Sequence, residues 1–468
     1  VKVIILGGGG VGTRIAEQLI SEKHDVVILE REPEQAAMLS HRLDCMVLND
    51  AGNSREALRR AGAAKADVFI AVTDSDEVNM ISCGLVASEF NIPLKVARVR
   101  NTEYTRTHVI DAGFFGVDFL VNPEVEAVSE VVTSVEHGAL SDIIVFDASD
   151  LQIRSVTVSE GSPLCGRPLK DAMQSFDARF LVAAVLRGEE YIIPSGNTVL
   201  AENDLVYVVG THEHLDNFFS LMGKPRKQMR KIVIVGGGKI GLMICEHLLN
   251  GEPDESGMVS RVFRRLIGRR GRQVVLVDKD VERCKEASKR FPRALIIHAD
   301  ISDEGIFEEE QLANSDLIIC TTANQELNIV SALYARSLGI ERSVVLVTNA
   351  SYSAVCSRLN IDVTVSLRQA VVNAVLRIIR QGLILSVHSL FHGKIEVLEF
   401  EVSAGSAADG RVVRDTRFPR DSLLVSITRD GTASIAHGNS VMQAGDSAVV
   451  IGKSEDFEQI RSVFTGSP

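Results

Sequence analysis

The chain has 468 residues, 45% hydrophobic and 24% charged, ordinary proportions for a globular protein and enough length for three or four domains. Its formal net charge of -12 argues against a general nucleic-acid binder, which would carry a basic footprint. Seven cysteines, at positions 45, 83, 165, 245, 284, 320 and 356, form no C-x-x-C pair, which fits buried thiols in a reducing cytosol better than a disulfide frame or a zinc site.

The first apolar run, "VIIL", leads directly into "GGGGVG", so no secretory leader is expected. Gly7, Gly9 and Gly12 make a G-x-G-x-x-G turn, with Gly10 and Val11 inside it. The first glycine of such a turn permits the tight bend, the second lets a pyrophosphate approach the backbone, and the third lets helix and strand pack closely. The helix that follows presents free N–H groups to phosphate. "GTRIAEQLISEK" has the matching helical spacing at Ile15, Leu19 and Ile20. The second strand, "DVVILE", ends on Glu30, where a carboxylate accepts bonds from ribose hydroxyls and disfavours a 2′-phosphate, hence NAD over NADP. Asp50 follows the third strand as a candidate adenosine-side contact, and Thr73 follows the fourth. Arg98, in "VARVRN" on the fifth strand, could pair with phosphate. Strands alternating with helices imply a doubly wound parallel sheet with both faces covered.

"NPEVEAVSEVVTSVEHG" comes next, with Asn122 as N-cap and Pro123 at the first helical position. Its stripe of Val125, Val128, Val131, Val132 and Val135 would pack on its own domain or reach a partner subunit. A β-rich stretch broken by Gly, Pro, Asn and Asp then reads as a small α+β module. It ends in "THEHLD", where His212 and His214 read as a solvated pair on a loop, not as metal ligands. "GKPRKQMR" (Gly223–Arg230) is a polar, basic linker.

After the linker the whole plan repeats. "KVIILGGGGVG" aligns with "KIVIVGGGKIG", "ADVFIAVTDSDEVNM" with "SDLIICTTANQELNI", and "GNTVLAENDLVYVVG" with "GNSVMQAGDSAVVIG". The second turn is therefore Gly236, Gly238, Lys239, Ile240 and Gly241, with Asp278, Asp300 and Thr322 as counterparts of Glu30, Asp50 and Thr73. Leu346 stands where Arg98 is, so the two pockets are expected to differ. The segment 251–271 has no counterpart in the first half. Its arginines flank Val262, Phe263, Leu266 and Ile267; the segment reads as a solvated surface insertion, with contact to an anionic membrane surface or an acidic partner face as the alternative. The crossing-helix counterpart "SLRQAVVNAVLRIIRQG" has its stripe at Leu367, Val371, Ala374, Val375 and Ile378. The most apolar stretch, Ala370–Phe391, contains Arg377 and Arg380, too costly for a membrane span, and reads as a helix running into a strand.

The expected order is A-B-A′-B′: two Rossmann-like parallel-sheet domains at 1–138 and 230–382, each followed by a small α+β domain at 139–223 and 383–466. The B modules show no acid/base pair of the kind a dehydrogenase places at a nicotinamide. No catalytic and no metal-binding residue is therefore expected, and a nucleotide sensor is favoured over an enzyme. The rival from another class is an NAD-dependent oxidoreductase with a duplicated cofactor domain.

This duplicated order, with "GGGGVG", "TDSDEVNM" and "ARVRN" in place, resembles the TrkA family of potassium-uptake regulators, built from RCK (KTN) nucleotide-binding domains and TrkA C-terminal domains. The resemblance covers essentially the whole chain. It implies a homo-tetrameric ring on the cytoplasmic face of the inner membrane, beneath a TrkH- or TrkG-type potassium-conducting subunit. It implies NAD(H), with ATP or ADP as an alternative or second nucleotide. By the same resemblance Gly7, Gly9, Gly12, Glu30, Asp50, Thr73 and Arg98 match the first nucleotide site, and Gly236, Gly238, Gly241, Asp278, Asp300 and Thr322 the second. An RCK assembly serving another cation transporter is the alternative within the same class.

Overall fold

The computed structural model describes residues 1–101, 103–104, 115–136, 144–146, 151–159, 161–174, 180–188, 190–222, 229–250, 272–303, 305–349, 351–359, 361–380, 384–390 and 395–465. The first module contains β1 (Lys2–Leu6), β2 (Asp25–Glu30), β3 (Met46–Asn49), β4 (Val68–Ala71), β5 (Leu94–Arg98) and β6 (Phe119–Val121). They form one sheet in the order β3-β2-β1-β4-β5-β6. Every pairing is parallel. Its central strands are continuous apolar runs: Val3, Ile4, Ile5, Phe69 and Ile70 are buried, as a sheet covered on both faces requires. Strand order reverses between β1 and β4, which opens a crevice at the carboxyl ends of these two strands.

The small module that follows has β7 (Ile144–Val145), β8 (Leu151–Thr157), β9 (Phe180–Arg187), β10 (Glu190–Ile192) and β11 (Leu205–Thr211), an antiparallel sheet ordered β10-β9-β11-β8-β7. The second parallel sheet has β12 (Lys231–Val235), β13 (Gln273–Asp278), β14 (Leu295–His298), β15 (Leu317–Cys320), β16 (Arg342–Val347) and β17 (Val363–Ser366), in the order β14-β13-β12-β15-β16-β17. It repeats the first strand for strand. The last sheet, with β18 (Ile384–Leu390), β19 (Ile395–Glu401), β20 (Ser422–Arg429), β21 (Thr432–Ile435) and β22 (Ser447–Lys453), is ordered β18-β19-β22-β20-β21 and repeats the small module. The α/β class and the paired sheet plan agree with the sequence reading.

The modules do not fold as beads in chain order. Residues 1–141 and 227–375 form one compact unit, and residues 142–226 and 376–468 another. Within the first unit, the Pro123–Glu136 helix leaves the first sheet and packs on the second module. Its Ala127, Val128, Val131, Val132 and Val135 share one apolar cluster with Ile232, Ile244, Leu248 and Val363. The stripe therefore crosses to the other half of the same chain, neither staying on its own domain nor needing a partner subunit. Duplication supplies the apolar cover that the stripe requires. Val125, expected on the stripe, is exposed. Asn122 caps this helix as expected, its side-chain oxygen accepting from the N–H groups of Glu124 and Val125.

Within the second unit the two small sheets share a cluster that includes Tyr207, Val209, Val397 and Val449. The "THEHLD" segment is helical, not a loop: His212–Leu221 is capped by Thr211, whose hydroxyl accepts from the His214 N–H. The Thr211 hydroxyl also lies 2.7 Å from His214 Nδ1. Among the described residues no group of three or more His, Cys, Asp or Glu is placed to hold a metal. Among them, too, no helix is long and apolar enough to cross a membrane. The insertion 251–271, and most of the linker, lie outside the described residues.

Candidate functional site

Each glycine turn is built by the same three constraints. Gly7 and Gly236 adopt φ of +105° and +108°, open to glycine and strained for other residues. A Cβ on Gly12 or Gly241 would lie 1.9 Å from the carbonyl oxygen of Gly7 or Gly236, so only glycine lets the helix start this close to the strand. At Gly9 and Gly238 the reverse holds: a Cβ would meet nothing within 4 Å. The middle glycine of each turn thus faces open space, where a phosphate could approach backbone. The Gly10–Ser21 helix begins at Gly9 with no side-chain cap, which leaves its first N–H groups directed at that space. Val11 is buried beneath the turn.

The strand-end carboxylates hold the turns in place. Glu30 accepts from the Gly8 N–H at 2.7 Å and the Glu32 N–H at 2.9 Å. Asp278 accepts from the Gly237 N–H at 2.5 Å and the Asp280 N–H at 2.7 Å. One methylene separates Glu from Asp, yet both make the same pair of backbone bonds. Each oxygen has a further lone pair for a ribose hydroxyl.

Thr73 and Thr322 spend their hydroxyls locally. Each donates at 2.6 Å to the side-chain oxygen of a buried asparagine, Asn79 or Asn328. That asparagine amide in turn donates to the carbonyl of Thr73 and Arg98, or of Thr322 and Leu346. Asn79 and Asn328 therefore tie the end of β4 to β5 and of β15 to β16. Sequence reasoning missed them, although they recur at the same place in the quoted repeats.

The two sites differ in charge. Arg98 is buried, donates to the Thr73 carbonyl at 3.3 Å and pairs with Asp74 at 3.2 Å, while its Nε has no hydrogen-bond partner among the described residues. Burial, then the neighbouring Arg100, lowers its pKa from the usual arginine value. Leu346 takes the equivalent place in the second half. Asp50 is paired with Arg60 at 3.0 Å and accepts from the Ala51 N–H. Asp300 accepts from the hydroxyl and N–H of Ser302, which hold its carboxyl below the usual range.

In the second half Gly236, Gly238, Lys239, Ile240, Asp278, Asp300 and Thr322 all line one cleft of about 600 Å³, within the range of small-molecule sites. Gly241 is the one predicted residue of that half absent from the lining, as expected of a glycine used for packing. In the first half contacts connect part of the corresponding set: a Cβ on Gly7 would meet Thr73 at 3.1 Å, Gly8 meets Glu30, the Asp50 N–H donates to the Glu30 carbonyl at 3.1 Å, and Thr73 meets Arg98. Glu124, from the crossing helix of the first half, also lines the second cleft and pairs with Lys239. Lys239 donates further to the Arg100 carbonyl at 2.7 Å, so its side chain is engaged by the other half.

The TrkA-N domain family matches residues 3–123 and 256–367, and the TrkA-C domain family residues 153–223 and 397–465. The second TrkA-N match begins after the second glycine turn, whose geometry nonetheless repeats the first. The chain is 31% identical over 456 residues to the Trk system potassium uptake protein TrkA of Halomonas elongata, covering 96% of this chain and 95% of that protein. It is 28% identical over 475 residues to TrkA of Haemophilus influenzae, covering 100% of this chain and 99% of the relative. Among solved structures, the GsuK channel bound to NAD matches with a TM-score of 0.56 at 19% identity, over 99% of this chain and 78% of that one. The GsuK RCK domain matches with a TM-score of 0.55 at 19% identity, over 98% and 94%. At that identity the structural likeness speaks for the fold.

Proposed function

The chain belongs to the TrkA family, and from that premise we propose that it is the nucleotide-sensing regulatory subunit of a Trk-type potassium-uptake system. The observation that carries the reading is the doubled turn: two open middle glycines, each beside a strand-end carboxylate. In this reading Gly7, Gly9, Gly10, Val11, Gly12, Glu30, Asp50, Thr73 and Arg98 form the first nucleotide site. Gly236, Gly238, Lys239, Ile240, Gly241, Asp278, Asp300 and Thr322 form the second. The ligands are NAD(H) and ATP or ADP. Glu30 and Asp278 hold ribose, and the turn N–H groups hold phosphate. Support for NAD comes from the acidic strand ends and from the NAD-bound GsuK neighbour.

The subunit acts without catalysis, as a homo-tetrameric ring on the cytoplasmic face of the membrane, beneath a TrkH- or TrkG-type partner. Its domains run over 1–138, 139–223, 230–382 and 383–466. A nucleotide shifts the partner only by binding two ring conformations with different affinity. Couplings of this kind amount to about 1–3 kcal/mol, and they are reciprocal. Nucleotide affinity is therefore measured for the chain alone and with the partner locked open or closed. We expect a roughly 5–150-fold difference between the locked complexes for the activating nucleotide. Equal affinities for ATP, ADP and NADH in both complexes would end the gating role.

A further inference from the structure

The two crossing helices begin at equivalent points of the repeat, and their second residues carry opposite charge: Glu124 in Pro123–Glu136 and Arg368 in Leu367–Arg380. Each reaches the glycine turn of the other half. Glu124 meets Lys239, the fourth residue of the second turn, and the pair neutralises itself. Arg368 meets Gly10, the fourth residue of the first turn. A Cβ on Gly10 would lie 2.8 Å from Arg368 Nη1 and 3.2 Å from its Cζ, so the guanidinium fills the space a longer side chain at position 10 would need. The cation has moved from the turn to the helix, and the anion is gone.

Arg368 makes no hydrogen bond or ion pair among the described residues. It also sits where an arginine is locally unfavourable. The first turn of a helix has positive dipole character and favours carboxylates. Pro123–Glu136 obeys this with Glu124 and Glu126, whereas Leu367–Arg380 has no acidic residue in its first turn. A broken local rule with no compensating partner among the described residues points to a function. At the carboxyl edge of the same sheet, the first half holds buried Arg98, which contacts Thr73 beside Gly7 and has an unpartnered Nε. The first pocket thus has two cations without a full set of acceptors, while in the second Leu346 and a closed Lys239–Glu124 pair stand at those two places, and its other lining cations, Lys279 and Arg283, each lie within 4 Å of the pocket's own carboxylates, Asp300, Asp278 and Asp280.

We propose that Arg368 is a phosphate-binding residue of the first pocket, delivered by the second half of the chain, and that it selects nucleotides by the charge of the phosphate tail. The inference rests on the reading of the glycine turns as nucleotide pockets. The first pocket then prefers a nucleoside polyphosphate. The second, which among the described residues has no unpaired cation facing its turn from the other half, takes a ligand of lower phosphate charge. Because Arg368 and Gly10 belong to different halves, a polyphosphate in the first pocket also bridges them.

The test uses the full chain and isolates each pocket through its open glycine. Gly238→Leu fills the second cleft without meeting protein atoms near its Cβ, and Gly9→Leu does the same in the first. Calorimetry is run with AMP, ADP and ATP. In the Gly238→Leu background, Arg368→Gln is expected to lower ATP affinity roughly tenfold and AMP affinity far less, an effect that shrinks as salt rises. Arg368→Lys should keep part of the preference. The double change Gly10→Lys with Arg368→Glu installs the second pocket's self-neutralising pair and should abolish it. In the Gly9→Leu background Arg368→Gln should change nothing. An ATP-to-AMP affinity ratio unaltered by Arg368→Gln would overturn the inference while leaving the pockets intact. Absence of nucleotide binding to the unmodified chain would instead overturn the reading on which it rests.

Discussion

At the first glycine turn stand Arg98 on the fifth strand and Arg368 from the other half; at the second stand Leu346 and Glu124. The backbones beneath are nearly identical, with φ at the leading glycine differing by 3°. The difference teaches which parts of a duplicated site are free to change. Gly7 is fixed by its positive φ and the nearby Thr73 backbone, and Gly12 by the Gly7 carbonyl, constraints that no side-chain exchange relieves. The residues around the turns are held by side-chain contacts that differ between the halves, Arg98 by the Thr73 carbonyl and Asp74, Leu346 by the apolar core and Glu124 by Lys239, so their charge can be exchanged when the partner changes with it.

The largest effect should come from the part that cannot change. Gly12→Ala and Gly241→Ala each drive a methyl to 1.9 Å of a carbonyl oxygen. The helix must shift off its strand, and we expect a loss of about 3 kcal/mol or more in either half. Denaturation of the full chain with each single change measures it. Should Gly241→Ala prove neutral while Gly12→Ala does not, the two turns are not mechanical equivalents, and the comparison fails at its base.

The small modules sharpen the comparison, because there duplication has kept charge as well. Arg187 forms a two-pronged pair with Asp204 at 2.9 and 2.7 Å, and Arg429 does so with Asp446 at 2.7 and 2.7 Å. Each arginine also donates to a carbonyl, of Val199 or Val441. Both aspartates are buried. The Arg187 hydrogen bond, aided by the Ala201 N–H, holds the Asp204 carboxyl below the usual range. For Asp446 burial pulls upward, but the bonds from Arg429 and the Gln443 N–H outweigh it. A carboxyl whose folded pKa lies below its unfolded value of about 3.9 stabilises the fold above that value. The contribution disappears as pH falls through the folded pKa. Arg187→Ala and Arg429→Ala should therefore each cost about 2 kcal/mol at pH 7, since a buried carboxylate is left short of donors. The cost should shrink below about pH 4. Melting of both variants at several pH values checks the sign. A cost independent of pH would mean that packing, not charge, holds these turns.

Much of this was legible from residue order alone. The glycine spacing, the strand-end acids and the repeat pointed to both parallel sheets and to residues that line the cleft of the second half, because steric requirements of a tight turn leave few residue choices. The destination of the crossing helix was not legible. A valine stripe states that it needs an apolar cover but not which copy of a duplicated surface supplies it. The surroundings of Thr73 and Thr322 were legible only in part: they follow the fourth strand of each sheet as the sequence shows, but that their hydroxyls serve Asn79 and Asn328 was not legible. Nor did spacing reveal that Lys239 turns toward Glu124, since that contact joins residues more than a hundred positions apart.

The smallest expected effect lies where the two halves reach one device with different residues. The Asp76–Glu89 helix is capped by Ser75, whose hydroxyl accepts from the Val78 N–H at 3.2 Å. The Gln325–Ser337 helix is capped by Asn324, whose side chain accepts from the Leu327 N–H at 2.8 Å. Both caps receive their own backbone support from the preceding threonine, at 3.3 Å in each half. Serine and asparagine are near equals at this position, and loss of either to alanine costs about 1 kcal/mol. Ser75→Ala and Asn324→Ala should thus destabilise alike, while Ser75→Asn and Asn324→Ser should stay within a few tenths of a kcal/mol. Each cap stands four residues before the buried asparagine that joins two strands. The alanine variants should therefore speed amide exchange at Val78 or Leu327, and beyond it at Asn79 or Asn328. If exchange quickens only at the first turn, the cap is independent of the strand tie, and the equivalence of the halves stops at the helix end.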